Sequence, residues 1–231
     1  MPFNGVDFCC GFASCSVLEV IETGQLKKKI AALARPKRVI QVGANEGKFE
    51  YAKVDGLDFL FEFLLKRSRY EAMLIEPSPD SFEALKLNYS SHRNKLHFFR
   101  CAVSDKHQTL YLNLRGRDGK MSFLSEKNDD SKFLQIAVEC FSVQSLMNLV
   151  GWDRVGFVKV DAEGYDSLIV ASILNSLPPK RLPKILMWEV LDESSCDEVS
   201  NLNRLVDLGY KVFRTGLSKD GNYMDRVAFY C

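Results

Sequence analysis

A chain of 231 residues with 46% hydrophobic content can bury one sizeable core. Its formal net charge is only +1, from 31 basic and 30 acidic side chains, so no overall field attracts nucleic acid or an anionic membrane surface. Nucleic-acid-binding and membrane-surface proteins are therefore the disfavoured classes. We expect a single domain over residues 26–231, preceded by an N-terminal extension, residues 1–25, of unclear role.

The cysteines and the first residues bear on the location of the protein. The seven cysteines are odd in number and lack the paired C-x-x-C spacing of a zinc site, which favours reduced thiols. The uncharged run over residues 8–18 is too short to span a bilayer, and no positive residues precede it as in a signal peptide. We therefore predict a soluble, cytoplasmic protein without a transmembrane segment. Cys9 and Cys10 could alternatively carry lipid, although Met1-Pro2 excludes the usual myristoylation signal.

The first half of the chain alternates predicted helices and strands. In chain order they are a helix over 24–34, a strand over 37–43, a helix over 57–66, a strand over 72–76, a further helix and a strand over 96–103. Ser78 is the expected cap of the helix after Glu76, and Pro79 occupies its favoured first position. This order is typical of a wound α/β sheet.

The second half begins with two segments of alternating apolar residues, 110–114 and 134–140, which predict half-buried strands around a polar loop over 115–132. The winding then resumes. The remaining elements are a strand over 155–161, a helix after Gly164, a strand over 184–190, a helix over 198–208, and strands over 210–213 and 226–231. The pattern predicts a doubly wound, Rossmann-like α/β fold with a mainly parallel sheet and an antiparallel terminal strand.

In such sheets ligands bind beyond the carboxyl ends of the strands, so candidate residues are those that finish strands. They are Gly43 and Gly47 after the first strand, Glu76 after the second, Ser104 and Asp105 after the third, Asp161 and Glu163 after the fourth, and Glu189 in the fifth. We expect these residues to border one crevice.

The loop after the first strand indicates a nucleoside-containing cofactor. Gly43 and Gly47 allow a tight turn and close approach of a ligand, and Glu76 at the end of the next strand can accept ribose hydroxyls. A dinucleotide fingerprint would need glycine where Asn45 stands, and no Walker phosphate loop is present. A ligand with ribose but no phosphate, S-adenosylmethionine, fits better. The glycines could alternatively serve turn geometry alone.

Four segments together carry a family resemblance: "VGANEG", "LIEPSPDSFEAL", "AVSD" and "FVKVDAEGYDSLIV". In this order they resemble the FkbM-type S-adenosylmethionine-dependent methyltransferases, with similarity over residues 39–190. The resemblance implies the class I methyltransferase fold and methylation of hydroxyl groups, often on sugars or natural-product scaffolds. We therefore expect a small-molecule or carbohydrate acceptor.

The resemblance also implies residue roles. It assigns Gly43, Asn45 and Gly47 to the methionine part of the cofactor, Glu76 to the ribose, and Asp105 with its neighbour Ser104 to the adenine. The family commonly has aspartate where this chain has Gln41. With Gln41 in this place, the chain lacks a negative charge near the cofactor. We therefore expect either that Asp161 supplies the missing contact or that the cofactor binds more weakly.

The turn after the fourth strand indicates the nucleophile. An amino-methylating signature, (Asp or Asn)-Pro-Pro-(Tyr or Phe), would occupy the place that holds Asp161-Ala162-Glu163-Gly164. Carboxylates suit an oxygen nucleophile, because one of them can accept the proton that a hydroxyl loses. We predict Asp161 as the base and Glu163 as a second choice or substrate clamp. Asp161 could instead only hydrogen-bond a neighbouring loop.

Substrate contacts are predicted from three other places. Glu189 lies in an apolar run, so we expect it to face the cleft or to pair with a basic residue such as Lys159. His107 follows the adenine-side loop. Arg117 belongs to the basic, glycine-containing loop over 115–132, which is either a substrate lid or a solvated hairpin loop.

Two questions stay open from the sequence. Asp161 and Glu189 are compatible with a divalent metal, but no spacing requires one, and we predict no metal ligands. The alternatives to a small-molecule O-methyltransferase are an RNA methyltransferase and a non-catalytic binding module that retains the cofactor fold. The sequence does not indicate an oligomeric state.

Overall fold

The computed structural model describes residues 18–47, 69–115, 121–126, 133–215 and 225–230. The predicted helix over 57–66, Cys9 and Cys10, and Arg117 lie outside these residues. The helices are α1 (Thr23–Leu33), α2 (Pro79–Asn88), α3 (Val143–Leu149), α4 (Asp166–Ser176) and α5 (Cys196–Asp207). The strands are β1 (Arg38–Val42), β2 (Glu71–Ile75), β3 (Leu96–Phe99), β4 (Ala102–Val103), β5 (Gln108–Arg115), β6 (Met121–Ser125), β7 (Leu134–Phe141), β8 (Phe157–Val160), β9 (Ile185–Trp188), β10 (Tyr210–Thr215) and β11 (Asp225–Tyr230).

The larger sheet has seven strands in the order β10-β11-β9-β8-β1-β2-β3. The pairs of β1 with β2 and β8, of β2 with β3, and of β8 with β9 are parallel. β11 runs antiparallel between β9 and β10. The predicted doubly wound sheet and its antiparallel terminal strand are therefore confirmed.

The strands of this sheet carry apolar side chains on both faces because helices cover both. Ile40 and Val42 of β1 join one buried cluster, which Ile169 and Ile173 of α4 also join. Val39 joins the cluster on the other face, with Leu26 and Ile30 of α1 among its members. Each fully buried aliphatic side chain stabilises the fold by about 1.5–3 kcal/mol relative to exposure. This two-sided burial fixes the carboxyl ends of β1, β2, β8 and β9 along one edge.

A second sheet of four strands, in the order β4-β7-β5-β6, departs from the prediction at two points. The predicted strand over 96–103 is divided, because β3 pairs with β2 while β4 pairs with β7. The predicted loop over 115–132 contains strand β6, which pairs antiparallel with β5. Polar residues surround this strand in the sequence, so composition does not indicate its pairing with β5. The prediction of a loop over 115–132 is therefore wrong for residues 121–125.

The first described residues extend the larger sheet at its edge. Val20 forms a parallel bridge with Arg214 of β10, and Lys211 lies 3.1 Å from Glu19. Helix α1 begins at Thr23, so the predicted boundary between residues 25 and 26 falls inside a helix. Across the described parts of the chain, no helix is both long enough and apolar enough to cross a membrane.

Candidate functional site

The glycine-containing loop after β1 packs directly against neighbouring backbone and side chains. Gly43 has φ +72°, and a Cβ there would lie 1.7 Å from the carbonyl oxygen of Asp161. Gly47 has φ +64°, and a Cβ there would lie 2.2 Å from the ring of Tyr89. Asn45 also has positive φ, 47°, a conformation that asparagine tolerates better than most residues. The bare backbone is therefore needed for packing of the loop between β8 and α2.

Glu76 joins this loop to the end of β2. The backbone N–H of Asn45 donates to its Oε2 at 2.7 Å, and that of Ser78 donates to its Oε1 at 2.9 Å. The residue is only 6% exposed. Burial raises the pKa of Glu76 to about 7, against the two backbone hydrogen bonds, with a further upward effect from Asp161. Each oxygen keeps a lone pair, so the carboxylate can still accept two ligand hydroxyls.

A cavity opens between this loop and the second sheet. Five predicted site residues line it: Gly43, Asn45, Glu76, Asp161 and Glu163. Sequence reasoning missed the other eleven lining residues, and six of these lie in or next to the strands of the second sheet: Cys101, Ala102, Val103, Leu112, Ser122 and Leu124. The alternation over 110–114 predicted a strand, but no sequence signal identified which face of it would meet the site. One side of the cavity is therefore apolar and comes from outside the parallel sheet.

Three residues with predicted cofactor contacts, Gln41, Ser104 and Asp105, lie outside the cavity lining. Ser104 is fully buried, and its Oγ donates to the carbonyl of Lys106 at 2.7 Å. Asp105 is exposed and accepts from Gln108 Nε2 at 3.4 Å. Gln41 is buried in β1, in register with Lys159 of β8. None of the three lines the described cavity, nor does Gly47, and their cofactor roles stay predictions.

A row of carboxylates leads away from the cavity along the sheet edge. Val160 pairs with Trp188, and Trp188 pairs with Arg226, so the next residues beyond these pairs are Asp161, Glu189 and Asp225. They occupy the same level on three neighbouring strands. We call these three residues the carboxylate row. Asp225 was not predicted because β11 runs antiparallel. The first residue of β11, rather than its last, therefore lies at the sheet edge formed by the carboxyl ends of the parallel strands, which we call the functional edge.

Lys159 lies beneath this row, two residues before Asp161 and therefore on the same face of β8. Its side chain is 0% exposed, and its Nζ donates to Asp161 Oδ2 at 3.0 Å. The prediction allowed Lys159 to pair with Glu189, but the ion pair that forms is with Asp161. Lys159 still acts on Glu189, because its charge lowers the pKa of that carboxyl.

The two members of the row that lie farther from the cavity, Glu189 and Asp225, hold protons more tightly than ordinary carboxyls. Burial, then the charges of Asp161, Asp166 and Glu163, raise the pKa of Glu189 to about 7. Burial is also the main cause that raises the pKa of Asp225 to about 8, with Lys159 opposing it. At neutral pH the carboxylate row therefore retains protons that can be exchanged.

Asp166 organises the turn that carries Glu163. It accepts the backbone N–H of Ala162 at 3.1 Å and that of Gly164 at 3.2 Å. Glu163 itself has φ 48°, an uncommon conformation for this residue type. The turn is thus fixed by side chain-to-backbone bonds at the first residue of α4, and it directs the chain past the cavity.

The remaining predicted substrate residue lies away from the cavity. The ring of His107 stacks on that of Phe141 with centroids 4.6 Å apart, and its side chain is largely exposed. In the ranges that the structure describes, no group of three or more His, Cys, Asp or Glu side chains is arranged to hold a metal ion.

The cavity lining combines a carboxylate, bare backbone and apolar side chains. Glu76 offers two oxygens to a pair of adjacent hydroxyls, and Val103, Leu112 and Leu124 provide apolar surface for a flat ring. No side chain stands between the Gly43 backbone and the cavity. These features are the ones that a ribose with an attached base requires.

Three solved structures are similar in fold at low sequence identity. An Aeropyrum pernix fibrillarin with natively bound S-adenosyl-L-methionine has a TM-score of 0.48 at 10% identity, covering 83% of this chain and 65% of that chain. The precorrin-6y C5,15-methyltransferase from Geobacter metallireducens has a TM-score of 0.43 at 10% identity, covering 95% and 93%. A putative O-methyltransferase from Klebsiella pneumoniae has a TM-score of 0.47 at 10% identity, covering 90% and 79%. The present chain thus spans less than two thirds of the fibrillarin chain.

No curated protein matches the sequence. Residues 41–212 match the family described as the methyltransferase FkbM domain, which covers the glycine-containing loop, Glu76, and the Asp161 turn. The match includes most of the chain, so the protein belongs to the FkbM methyltransferase family.

Proposed function

We propose that this enzyme methylates a hydroxyl group on a sugar or another small molecule. The observation that carries the proposal is the position of Asp161, which borders the cavity and begins the carboxylate row. Carboxylates can orient an attacking hydroxyl and accept its proton. The same negative charges disfavour a phosphate-bearing acceptor, and with it nucleic acid, near the reacting group.

Bound S-adenosylmethionine supplies a methyl group that its sulfonium charge already activates. Glu76 would accept the ribose hydroxyls, and the backbone of Gly43 and Asn45 would hold the methionine part. Val103, Leu112 and Leu124 would provide the apolar surface for the adenine. Gln41, Gly47, Ser104 and Asp105 do not line the cavity, so their cofactor roles stay predictions from the sequence.

The residues at the acceptor side have the task of alignment. Asp161 would accept a hydrogen bond from the acceptor hydroxyl. This bond would direct the hydroxyl oxygen at the methyl carbon from about 3–3.5 Å. Glu163 lies two residues further along the same turn and can contact the rest of the acceptor. Positioning of this kind contributes a large share of the rate enhancement in transfers between two bound groups.

The test uses the purified protein with S-adenosylmethionine and a panel of sugars, polyols and phenols, with products detected by mass spectrometry. A methylated hydroxyl product supports the proposal, and methylation of nitrogen-containing or RNA acceptors alone would contradict it. In parallel, S-adenosylhomocysteine at 100 times its dissociation constant should raise the free energy of unfolding by about 2.7 kcal/mol. NADH, as the matched control ligand, should leave it unchanged.

Asp161→Asn provides the residue-level test. The amide keeps the size of the side chain but loses the charge, so we expect normal binding of S-adenosylhomocysteine and strongly reduced methyl transfer. Asp207→Asn, at an exposed position at the end of α5 and outside the cavity lining, is the control. Unchanged turnover in Asp161→Asn would remove Asp161 from the reaction.

A further inference from the structure

The ion pair of Lys159 constrains the chemistry of Asp161. Lys159 is completely buried, and its ammonium group lies 3.0 Å from Asp161 Oδ2. Through Oδ2, Asp161 already accepts a hydrogen bond from Lys159, so its other oxygen is the one that can accept from a ligand hydroxyl. Asp161 is therefore suited to orient the acceptor hydroxyl, and a neighbouring carboxylate can take the proton.

Glu189 is the nearest alternative along the sheet edge. It follows Trp188, which pairs with Val160 of β8, so Glu189 stands beside Asp161 on the neighbouring strand. Adjacent strands lie about 4.8 Å apart, which a hydrogen-bonded hydroxyl can bridge. Asp225 is one strand further, roughly 10 Å from Asp161 by the same spacing.

We propose that Glu189 is the catalytic base that takes the proton from the acceptor hydroxyl, and that Lys159 is a positioning residue whose ion pair holds the Asp161 carboxylate in place to orient that hydroxyl. The inference rests on the proposed function, because it assigns roles within O-methyl transfer.

The groups that face Glu189 come from every element around it. Lys159 and Asp161 approach from β8, Glu163 and Asp166 from the turn before α4 and its first residue, and Asp225 from β11. Lys159 is the one cation among them and faces several carboxyls. Burial and these negative neighbours raise the pKa of Glu189 to about 7, which suits a base that works near neutral pH.

The O–H bond of the acceptor breaks, and its proton moves to a carboxylate oxygen of Glu189. The acceptor oxygen forms a bond to the methyl carbon, while the carbon–sulfur bond breaks and its electron pair stays on sulfur. The products are the methyl ether and S-adenosylhomocysteine, and Glu189 returns its proton to solvent.

The first experiment needs no acceptor. Carboxyl ¹³C NMR of the protein with S-adenosylhomocysteine follows the titration of Glu189, assigned by its loss in Glu189→Gln. We expect a midpoint near pH 7 in the wild type and a higher one in Lys159→Met, because Lys159 lowers the pKa of Glu189. A midpoint below about pH 5, near the ordinary glutamate value, would overturn the proposal. This outcome is independent of which acceptor the enzyme uses.

The second experiment compares pH profiles of kcat/KM with an acceptor from the hydroxyl panel. The wild-type rate should fall on the acid side of about pH 7, as Glu189 becomes protonated. In Glu189→Gln, kcat/KM should fall by about 10²–10⁴-fold, and the remaining rate should no longer decrease on the acid side of the profile, which we call the acid limb. The affinity for S-adenosylhomocysteine should be unchanged. Asp161→Asn should be slower but keep the acid limb.

The opposite pattern overturns the assignment. If Asp161→Asn abolishes the acid limb while Glu189→Gln keeps both the limb and the rate, Asp161 is the base. Failure to find any methylated hydroxyl would instead count against the proposed function, and the NMR result would still decide the protonation of Glu189. If Lys159→Met does not fold, the pH profiles of the wild type, Glu189→Gln and Asp161→Asn still test the assignment of Glu189.

Discussion

The two halves of the functional edge hold their carboxylates by different means. At the ends of β1 and β2, Glu76 is fixed by two backbone N–H groups. In the carboxylate row, after β8 and β9 and at the start of β11, one buried lysine pairs with Asp161 and lowers the pKa of Glu189 and Asp225 through its charge. The difference teaches that the cofactor half is set mainly by backbone geometry, whereas the acceptor half depends on which groups are charged.

The two halves meet at Gly43, and a substitution there should break both. In Gly43→Ala the new Cβ would overlap the Asp161 carbonyl oxygen, so the backbone of β1 or β8 must move. We expect the free energy of unfolding to fall by about 3 kcal/mol or more. Gly151→Ala is the control, because it has a similar φ of +70° but open space at its Cβ. Urea unfolding measures both, and equal losses would refute the packing argument.

Removal of Glu76 should disable the cofactor half alone. Glu76→Ala loses the acceptor of the ribose hydroxyls and of the Asn45 N–H, and hydrogen bonds to charged groups contribute about 1.5–3 kcal/mol each. We expect S-adenosylhomocysteine to bind at least about 100-fold more weakly by calorimetry. Glu83→Ala, at an exposed position on α2, should bind normally. Normal affinity in Glu76→Ala would overturn the ribose assignment.

The acceptor half should give the protein a stability that depends on pH. The pKa of Asp225 is raised from 3.8 to about 8, so the folded state binds this proton more tightly than the unfolded state. Its stabilising effect is complete below about pH 4 and is lost as pH rises towards 8.

Urea unfolding of Asp225→Asn measures this effect. Between about pH 5 and pH 8 its free energy of unfolding should fall less than that of the wild type, by a difference of about 3 kcal/mol. Asp207→Asn, an exposed position at the end of α5, should follow the wild type. Parallel curves for all three proteins would mean that Asp225 titrates normally.

The smallest effect concerns Gln41. Because Gln41 is buried and does not line the cavity, Gln41→Met should change the affinity for S-adenosylhomocysteine by less than about twofold. A tenfold loss in calorimetry would instead support the predicted cofactor contact. The result would show whether the cofactor half extends into β1 itself.

The sequence was informative where a strand is parallel and its last residue is polar. Glu76, Asp161 and Glu163 were found at the site for this reason, because parallel strands bring their carboxyl ends to one edge. The same rule missed Asp225, since β11 runs the other way. It also selected Ser104 and Asp105, whereas the lining residues Cys101, Ala102 and Val103 come earlier in the chain.

The second sheet was the least predictable part. β6 is short and stands in a polar, charged segment, so its pairing with β5 depends on long-range backbone hydrogen bonds that composition does not reveal. Leu112 and Leu124 meet the cavity only because these two strands pair in one register. Local patterns therefore located the strands of the central sheet, but not the wall that a separate sheet adds to the site.

The short contact between the N-terminal segment and β10 has a consequence for association between molecules. Exposed sheet edges offer unpaired N–H and C=O groups to other chains. Here Ile21 donates its N–H to the carbonyl of Arg214, and Arg214 donates its own to the carbonyl of Glu19. These few residues occupy part of the outer edge of β10, so their removal would open that edge to strand addition and aggregation.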